Sequence, residues 1–277
     1  MKIRGDDQND RHPAYHEQED APLETETDPH RELASHPHAW DVHLLVRGGA
    51  TRATSVLARR GREVAVFDTG MGHHGALLVS ALRQHGVTPE EVTLVFNTHA
   101  HVDHSHNNVL FPGASIYCST RDRDWTMAVH DALARADTPG PEHITAFYPE
   151  MAASAGEKIV RKILGIERML WDPSRLGGTG ARVVALETAE LPPGVRVIPT
   201  PGHSPHHVSF SIETTELPVI VCGDALLLRG EDSYDAVMVP PWDSSAYAAS
   251  RARLLERRAV IVPGHDEPFR HDPGDRH

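Results

Sequence analysis

A short apolar run, Val92-Thr93-Leu94-Val95-Phe96, opens directly into Asn97-Thr98-His99-Ala100-His101-Val102-Asp103-His104. Four side chains able to bind metal (His99, His101, Asp103 and His104) therefore crowd into six positions at the end of what reads as a buried strand. Side chains two apart on an extended segment share a face, so His99 and His101 can grip one ion. Asp103 and His104 fall where the chain turns and can face a second. Neutral imidazole nitrogens are the commonest protein ligands for zinc. A rigid strand end is also where a preorganised site belongs, and a two-ion site needs more ligands than this cluster supplies.

The chain holds 21 histidines, so a histidine alone says little. His12, His16, His30, His36 and His38 have no such setting and read as ordinary surface residues. At 277 residues and 39% hydrophobic content the chain suits a single layered α/β domain. The formal charge of −12 disfavours broad electrostatic binding to nucleic acid. Residues 1–36 carry ten acids against four bases (Lys2, Arg4, Arg11, Arg31), which leaves about −6 for the remainder. Cys118 and Cys222 lie in expected strands and are too few for a disulfide framework. No run approaches the ~20 apolar residues of a membrane span, and the first residues lack an apolar signal core. The expectation is a cytoplasmic protein with no membrane partner.

Residues 1–36 are polar, acidic and proline-spotted, and are expected to be a disordered tail. The folded domain is expected over 37–270, with a short tail at 271–277. Val42, Leu44 and Val46 alternate as a half-buried strand should. A hairpin follows through Arg59-Arg60-Gly61-Arg62, then Asp68-Thr69-Gly70 and a helix over 75–84. Strands are expected at 91–97 and 115–119, and again at 182–185, 195–199, 208–212, 218–222 and 259–262, with a helix over 244–257. Between 121 and 180 the strand rhythm stops, and a mostly helical insertion is expected. Ile159, Ile163, Ile166 and Leu170 recur there at helical spacing, among Lys158, Arg161, Lys162 and Arg168. That stripe reads as packing on its own domain, and would also suit a homodimer contact.

Three further strand ends supply the missing ligand types. Thr200-Pro201-Gly202-His203, Gly223-Asp224 and Pro263-Gly264-His265 each follow a β-rich run. In each, glycine permits the close turn that brings a side chain to an ion.

In order along the chain, Asp68 in Phe-Asp-Thr-Gly, the His99-x-His101-x-Asp103-His104 run, His203, Asp224 and His265 resemble the metallo-β-lactamase superfamily over most of 40–268. The resemblance implies a four-layer αβ/βα sandwich with the site at one edge between two sheets. It implies that His99, His101 and His203 bind one ion and that Asp103, His104 and His265 bind another. Asp224 and a hydroxide would bridge them, and Asp68 would orient ligands and the turn beneath. Two such cations, zinc by ligand type but with iron or manganese also accommodated, would make the hydroxide a nucleophile. Asp103 would carry a proton to the leaving group.

Departures narrow the reading. Many true β-lactamases place a cysteine in the second site, whereas Cys222 lies two residues before Asp224. Flavodiiron redox proteins place Glu where His101 stands. Glyoxalase II carries a long C-terminal glutathione-binding part, and only twelve residues follow His265. Capped nucleases insert a domain where only forty residues separate Asp224 from His265. Acyl-homoserine lactonases share the ligand set, but Leu227 sits at the offset of their tyrosine, which leaves Tyr234 as a substitute if its loop folds back. Leu110–Ala114 and Val262–Phe269 most resemble the branch named for metallo-β-lactamase domain-containing protein 1, which is associated with RNA 3′-end hydrolysis.

The expected function is therefore hydrolysis of a small-molecule ester, lactone or thioester. The alternatives are a phosphodiesterase or ribonuclease of the same fold, and a metal-stabilised non-catalytic binding protein. Trp125, His130, Tyr148 and Trp171 are candidates to line the pocket.

Overall fold

The computed structural model describes residues 36–49, 51–150, 157–177, 180–230 and 241–274. The acidic tail over 1–35, Tyr234 and residues 275–277 lie outside them.

Two mixed sheets form the centre. The first runs in the order β1 (Asp41–Val46), β2 (Ser55–Arg60), β3 (Glu63–Phe67), β4 (Leu94–Phe96), β5 (Ser115–Cys118) and β6 (Arg182–Ala185). Its first three strands pair antiparallel and the rest parallel. The second contains β7 (Val195–Pro199), β8 (Val208–Ile212), β9 (Val219–Gly223), β10 (Ala259–Pro263) and β11 (Phe269–His271), in the order β11-β10-β9-β8-β7.

Strand period sorts the apolar side chains into layers. Val56, Ala58, Ala65, Phe67, Phe96 and Tyr117 of the first sheet meet Val195, Phe210, Val219, Val221 and Val262 of the second. The alternate residues Leu57, Val66, Val95 and Ile116 face outward onto Leu78, Ala81 and Leu82 of α1 (Gly75–Gln84). Ile198, Ile220, Cys222 and Ile261 face outward onto Leu254 of α6 (Ser244–Leu255). Helix, sheet, sheet and helix are thus four layers, as expected. At the middle, Phe67, Phe96 and Phe210 pack with ring centroids 4.8, 5.4 and 5.3 Å apart. Each such pair contributes about 0.5–1.5 kcal/mol beyond area burial.

β4 is shorter than the expected 91–97 strand at both ends. Pro89–Glu91 forms a 3₁₀ turn closed by a capping box, in which the Thr88 N–H donates to Glu91 at 2.8 Å. At the other end the Asn97 N–H still donates to the Tyr117 carbonyl of β5 at 2.9 Å, and its side chain exchanges hydrogen bonds with Asn108.

Among its described residues the segment 121–180 is mostly helical, with turns over 135–150. It comprises most of α3 (Thr120–Ala134), then α4 (Glu157–Leu170) and α5 (Ser174–Gly177). Val129, Leu133, Ile144, Tyr148, Val160 and Leu164 form a small core of their own. The buried face of α4 is therefore Val160 and Leu164, one position out of phase with the expected stripe. Ile163 and Leu170 are half-buried and Ile166 is exposed, while the Ile159 side chain lies outside the described residues. Cys118 and Cys222 are buried and unpaired. Among the described residues no helix is long and apolar enough to cross a membrane.

Candidate metal centre

Every expected ligand, and the expected supporting residue Asp68, sits on a turn that leaves one edge of the sandwich. Asp68 follows β3, and His99 and His101 follow β4. Asp103 and His104 ride a single helical turn, α2 (Val102–Ser105). His203 follows β7, Asp224 follows β9 and His265 follows β10. The close approach depends on glycine at two places. A Cβ on Gly264 would collide with Asp224 Oδ1, and one on Gly223, at φ 52°, would collide with Thr98 Oγ1.

The structure brings all seven ligand candidates together. His101 Nδ1 lies 3.1 Å from His99 Nε2 and 3.0 Å from His203 Nε2. Asp224 then divides its carboxylate. Its Oδ1 is 3.1 Å from His104 Nε2 and 3.4 Å from His265 Nε2, while its Oδ2 is 3.4 Å from His203 Nε2 and 4.0 Å from His99 Nε2. Asp103 Oδ2 is 3.2 Å from His265 Nε2. The sets His99/His101/His203, His99/His104/Asp224 and Asp103/His104/His265 each gather their donor atoms within 4.8 Å, as a metal ion requires.

The donor set fits divalent cations on two independent counts. His104 Nε2 and Asp224 Oδ1 are buried 3.1 Å apart with no well-aligned hydrogen bond to each other or to anything else, a costly state for polar atoms unless something further satisfies them. Meanwhile the outward nitrogens of His104, His265 and His99 are tied, whereas His203 Nδ1 is buried without a partner. His104 Nδ1 donates to Asp68 at 2.8 Å and His265 Nδ1 to the Gly49 carbonyl at 2.9 Å. His99 Nδ1 donates to Thr98 Oγ1 at 3.1 Å, which donates in turn to Asp68 at 2.8 Å. Each bond fixes the tautomer that leaves a lone pair facing inward.

Asp68 is the hub of this support. It is the only described non-glycine residue at positive φ, 51°, where Asp is among the better-tolerated side chains. That backbone turns its carboxylate back to accept the Thr98 N–H at 2.8 Å as well.

The electrostatics divide the centre in two. Burial, with neighbouring imidazoles adding to it, pushes His99 well below the usual histidine range and His101 to about 4. His203 is lowered too, again chiefly by burial. His104 and His265 go the other way. Burial opposes their protonation, but Asp224 and Asp103 outweigh it, raising His104 well above its ordinary value and His265 to about 10. Reciprocally, Asp103 and Asp224 resist burial and sit well below the usual carboxylate range because His104 and His265 face them.

Of the four pocket candidates only Tyr148 touches the centre, with its hydroxyl 3.1 Å from His101 Nε2. Trp125 packs edge-on to Tyr148, and His130 stacks flat on Trp171 at 3.9 Å. Sequence reasoning missed two supporting residues. His207 is buried and accepts the Asp224 N–H at 3.1 Å, so its Nδ1 donates to Thr200, which starts a chain through Ser209 to the Cys222 carbonyl. Asp122 is fully buried and accepts from Ala100 N–H at 2.9 Å and from the Ser204 hydroxyl. The His-His pair at 206–207 was a weak signal for the first, and nothing local marked the second.

Residues 48–265 match the sequence profile of the metallo-β-lactamase superfamily. The chain belongs to that superfamily. Within it, human metallo-β-lactamase domain-containing protein 1 is 32% identical over 225 residues, which is 80% of this chain and 65% of the human protein. The chain thus spans just under two thirds of that relative. A Bacillus N-acyl homoserine lactonase is 24% identical over 195 residues, covering 68% of this chain and 62% of the lactonase. Among solved metallo-β-lactamase-fold structures, a dizinc quorum-quenching lactonase superposes with a TM-score of 0.53 at 18% identity, covering 81% of this chain and 80% of that one. The chain is a metallo-β-lactamase-fold family member with hydrolase homologues.

Proposed function

We propose that this chain is a dinuclear metal-dependent hydrolase of a small-molecule ester, lactone or thioester. The observation that carries the reading is the divided Asp224 carboxylate, with one oxygen toward His104 and His265 and the other toward His99 and His203. His99, His101 and His203 would hold one cation, Asp103, His104 and His265 the other, and Asp224 both. Cations so placed lower the pKa of water and polarise the bond under attack. A donor set dominated by imidazole favours zinc.

The chain's own residues then have distinct tasks. Asp68 fixes the His104 ring directly and the His99 ring through Thr98. His207 fixes the backbone of Asp224. Asp103 is the most exposed carboxylate of the centre, with 17% of its side chain accessible against 6% for Asp224 and 1% for Asp68. It can therefore reach a substrate, hold a proton at a carboxylate oxygen and deliver it to a departing alcohol or thiol. The acidic chain disfavours a polyanionic substrate, and the lactonase name carried by a relative favours a carbonyl ester. Two buried, unpaired cysteines suit a reducing, cytoplasmic setting.

The test is a screen of lactones, thioesters, aryl phosphodiesters and single-stranded RNA with zinc-loaded protein, run beside Asp103→Ala. Hydrolysis of a carbonyl ester that falls by about 10²–10⁴-fold in the variant supports the proposal, and a variant that keeps both ions and full turnover would remove Asp103 from the proton-carrying role. Turnover of RNA alone would replace it with a nuclease. Fewer than two ions per chain and no turnover of any substrate would replace it with a binding protein.

Metal loading should also depend on pH in an unequal way. The raised His104 and His265 hold protons at neutral pH in the metal-free protein, and a cation must displace them. Zinc affinity of their set should therefore rise with pH, by about tenfold per unit per proton displaced, between pH 6 and 8. In the three-histidine set burial holds His99 well below the usual range, His101 at about 4 and His203 below its ordinary value, so affinity there should change less. Calorimetry in buffers of different ionisation enthalpy would count the protons, and release of none would contradict this assignment.

A further inference from the structure

The two ion sets hang from different parts of the fold. His104 and His265 are fixed by sheet-borne groups, the Asp68 carboxylate after β3 and the Gly49 carbonyl after β1. In the three-histidine set the His99 ring shares Asp68 through Thr98, but the set has two further ties, both to the helical region. Asp122, in the first turn of α3, accepts the N–H of Ala100, which lies between His99 and His101. The same carboxylate accepts the hydroxyl of Ser204, next to His203. One buried side chain thus ties together both loops that carry the set.

A second tie is independent of the first. Tyr148 lies between α3 and α4, with its ring embedded among Val129, Leu133, Ile144, Val160 and Leu164, and its hydroxyl reaches His101 Nε2 at 3.1 Å. When His101 Nδ1 faces a cation, the ring's proton is on Nε2, so the N–H donates and the Tyr148 oxygen accepts. Removing that oxygen leaves a half-buried donor without this partner.

We propose that Asp122 and Tyr148 are positioning residues that make the three-histidine set conditional on the helical region, so that an ion there and the packing of α3 against α4 stabilise each other. The proposal rests on the metal-binding reading of the centre. It extends that reading by giving the helical region a task in cation binding, and by making that task specific to one of the two sets. The coupling is reciprocal by thermodynamic necessity. Whatever tightens the helices tightens the ion, and the ion in turn protects the helices.

The experiment titrates the metal-free full chain with Zn²⁺ and needs no turnover. In a His265→Ala background, which leaves the three-histidine set, Tyr148→Phe should weaken zinc binding by about 10-fold or more, and Asp122→Asn should do likewise. In a His203→Ala background, which leaves the other set, Tyr148→Phe should leave affinity unchanged. Phenylalanine keeps the ring in its apolar cluster, so a packing role alone predicts no loss in either background. Zinc should also slow amide exchange across Thr120–Ala134 and Glu157–Leu170 in the His265→Ala protein, and less so once Tyr148→Phe is added. Unchanged affinity in both variants, equal weakening of both sets, or exchange indifferent to zinc would each overturn the coupling. A wild-type chain that binds no zinc would overturn the metal-centre reading itself.

Discussion

Asp224→Ala should lower bound zinc from about two ions per chain to below one and reduce turnover by about 10³-fold or more. The size of the effect follows from position. His203→Ala or His265→Ala removes a donor from one set and leaves the other able to hold its ion. Asp224 faces both, through separate oxygens, so its loss acts on both. It also removes the charge that offsets the buried, protonated His104 and His265. A bound metal contributes several kcal/mol of transition-state stabilisation, and each 1.36 kcal/mol is tenfold in rate. Metal analysis beside initial rates would check this. An Asp224→Ala protein that keeps both ions would show that its carboxylate is a neighbour of the ions and no more.

Asp68→Ala should be the most destabilising single change at the centre, although Asp68 faces no expected ion directly. Its carboxylate accepts the Thr98 N–H, the Thr98 hydroxyl and His104 Nδ1, all at 2.8 Å and all buried. Alanine leaves those donors stranded, and it sits poorly at φ 51°. Breaking a buried charged network of this kind costs about 3–5 kcal/mol, or about 10 °C in Tm for a domain of this size. Asp68→Asn should cost much less, because Asn tolerates the same backbone and still accepts from Thr98. Thermal melts of the metal-free proteins separate this loss from any loss of bound metal. Equal Tm values for wild type and Asp68→Ala would refute the assignment of Asp68 as hub.

The sequence carried the ligand candidates more clearly than their supports. His99, His101, Asp103 and His104 are legible because they are close in sequence and follow an apolar run. His203, Asp224 and His265 are legible because each follows a β-rich stretch and a glycine. Asp122 is different. It sits in Thr-Arg-Asp-Arg-Asp, which reads as solvated charge, and only the tertiary fold brings it to Ala100 and Ser204. Tyr148 was visible as an aromatic residue near the site, but its contact with His101 depends on a helical cluster whose packing no local pattern fixes. The phase of α4 shows the same limit. Isoleucines at helical spacing marked an apolar stripe, yet Val160 and Leu164, lying between them, meet α3. Two overlapping apolar faces on one helix cannot be ranked until a neighbour is in place.

Each of the three donor sets mixes residues of the first half of the chain with residues of the second: His99 and His101 with His203, His99 and His104 with Asp224, and Asp103 and His104 with His265. Neither half can bind an ion well alone, so a cation in this centre acts as a buckle across the plane where the two sheets meet. Such a ligand binds the folded chain and not the separated halves, which raises apparent stability in proportion to the logarithm of its free concentration. The working lifetime of the protein against unfolding would then track the supply of metal around it, and starvation for that metal would remove the molecule along with its activity.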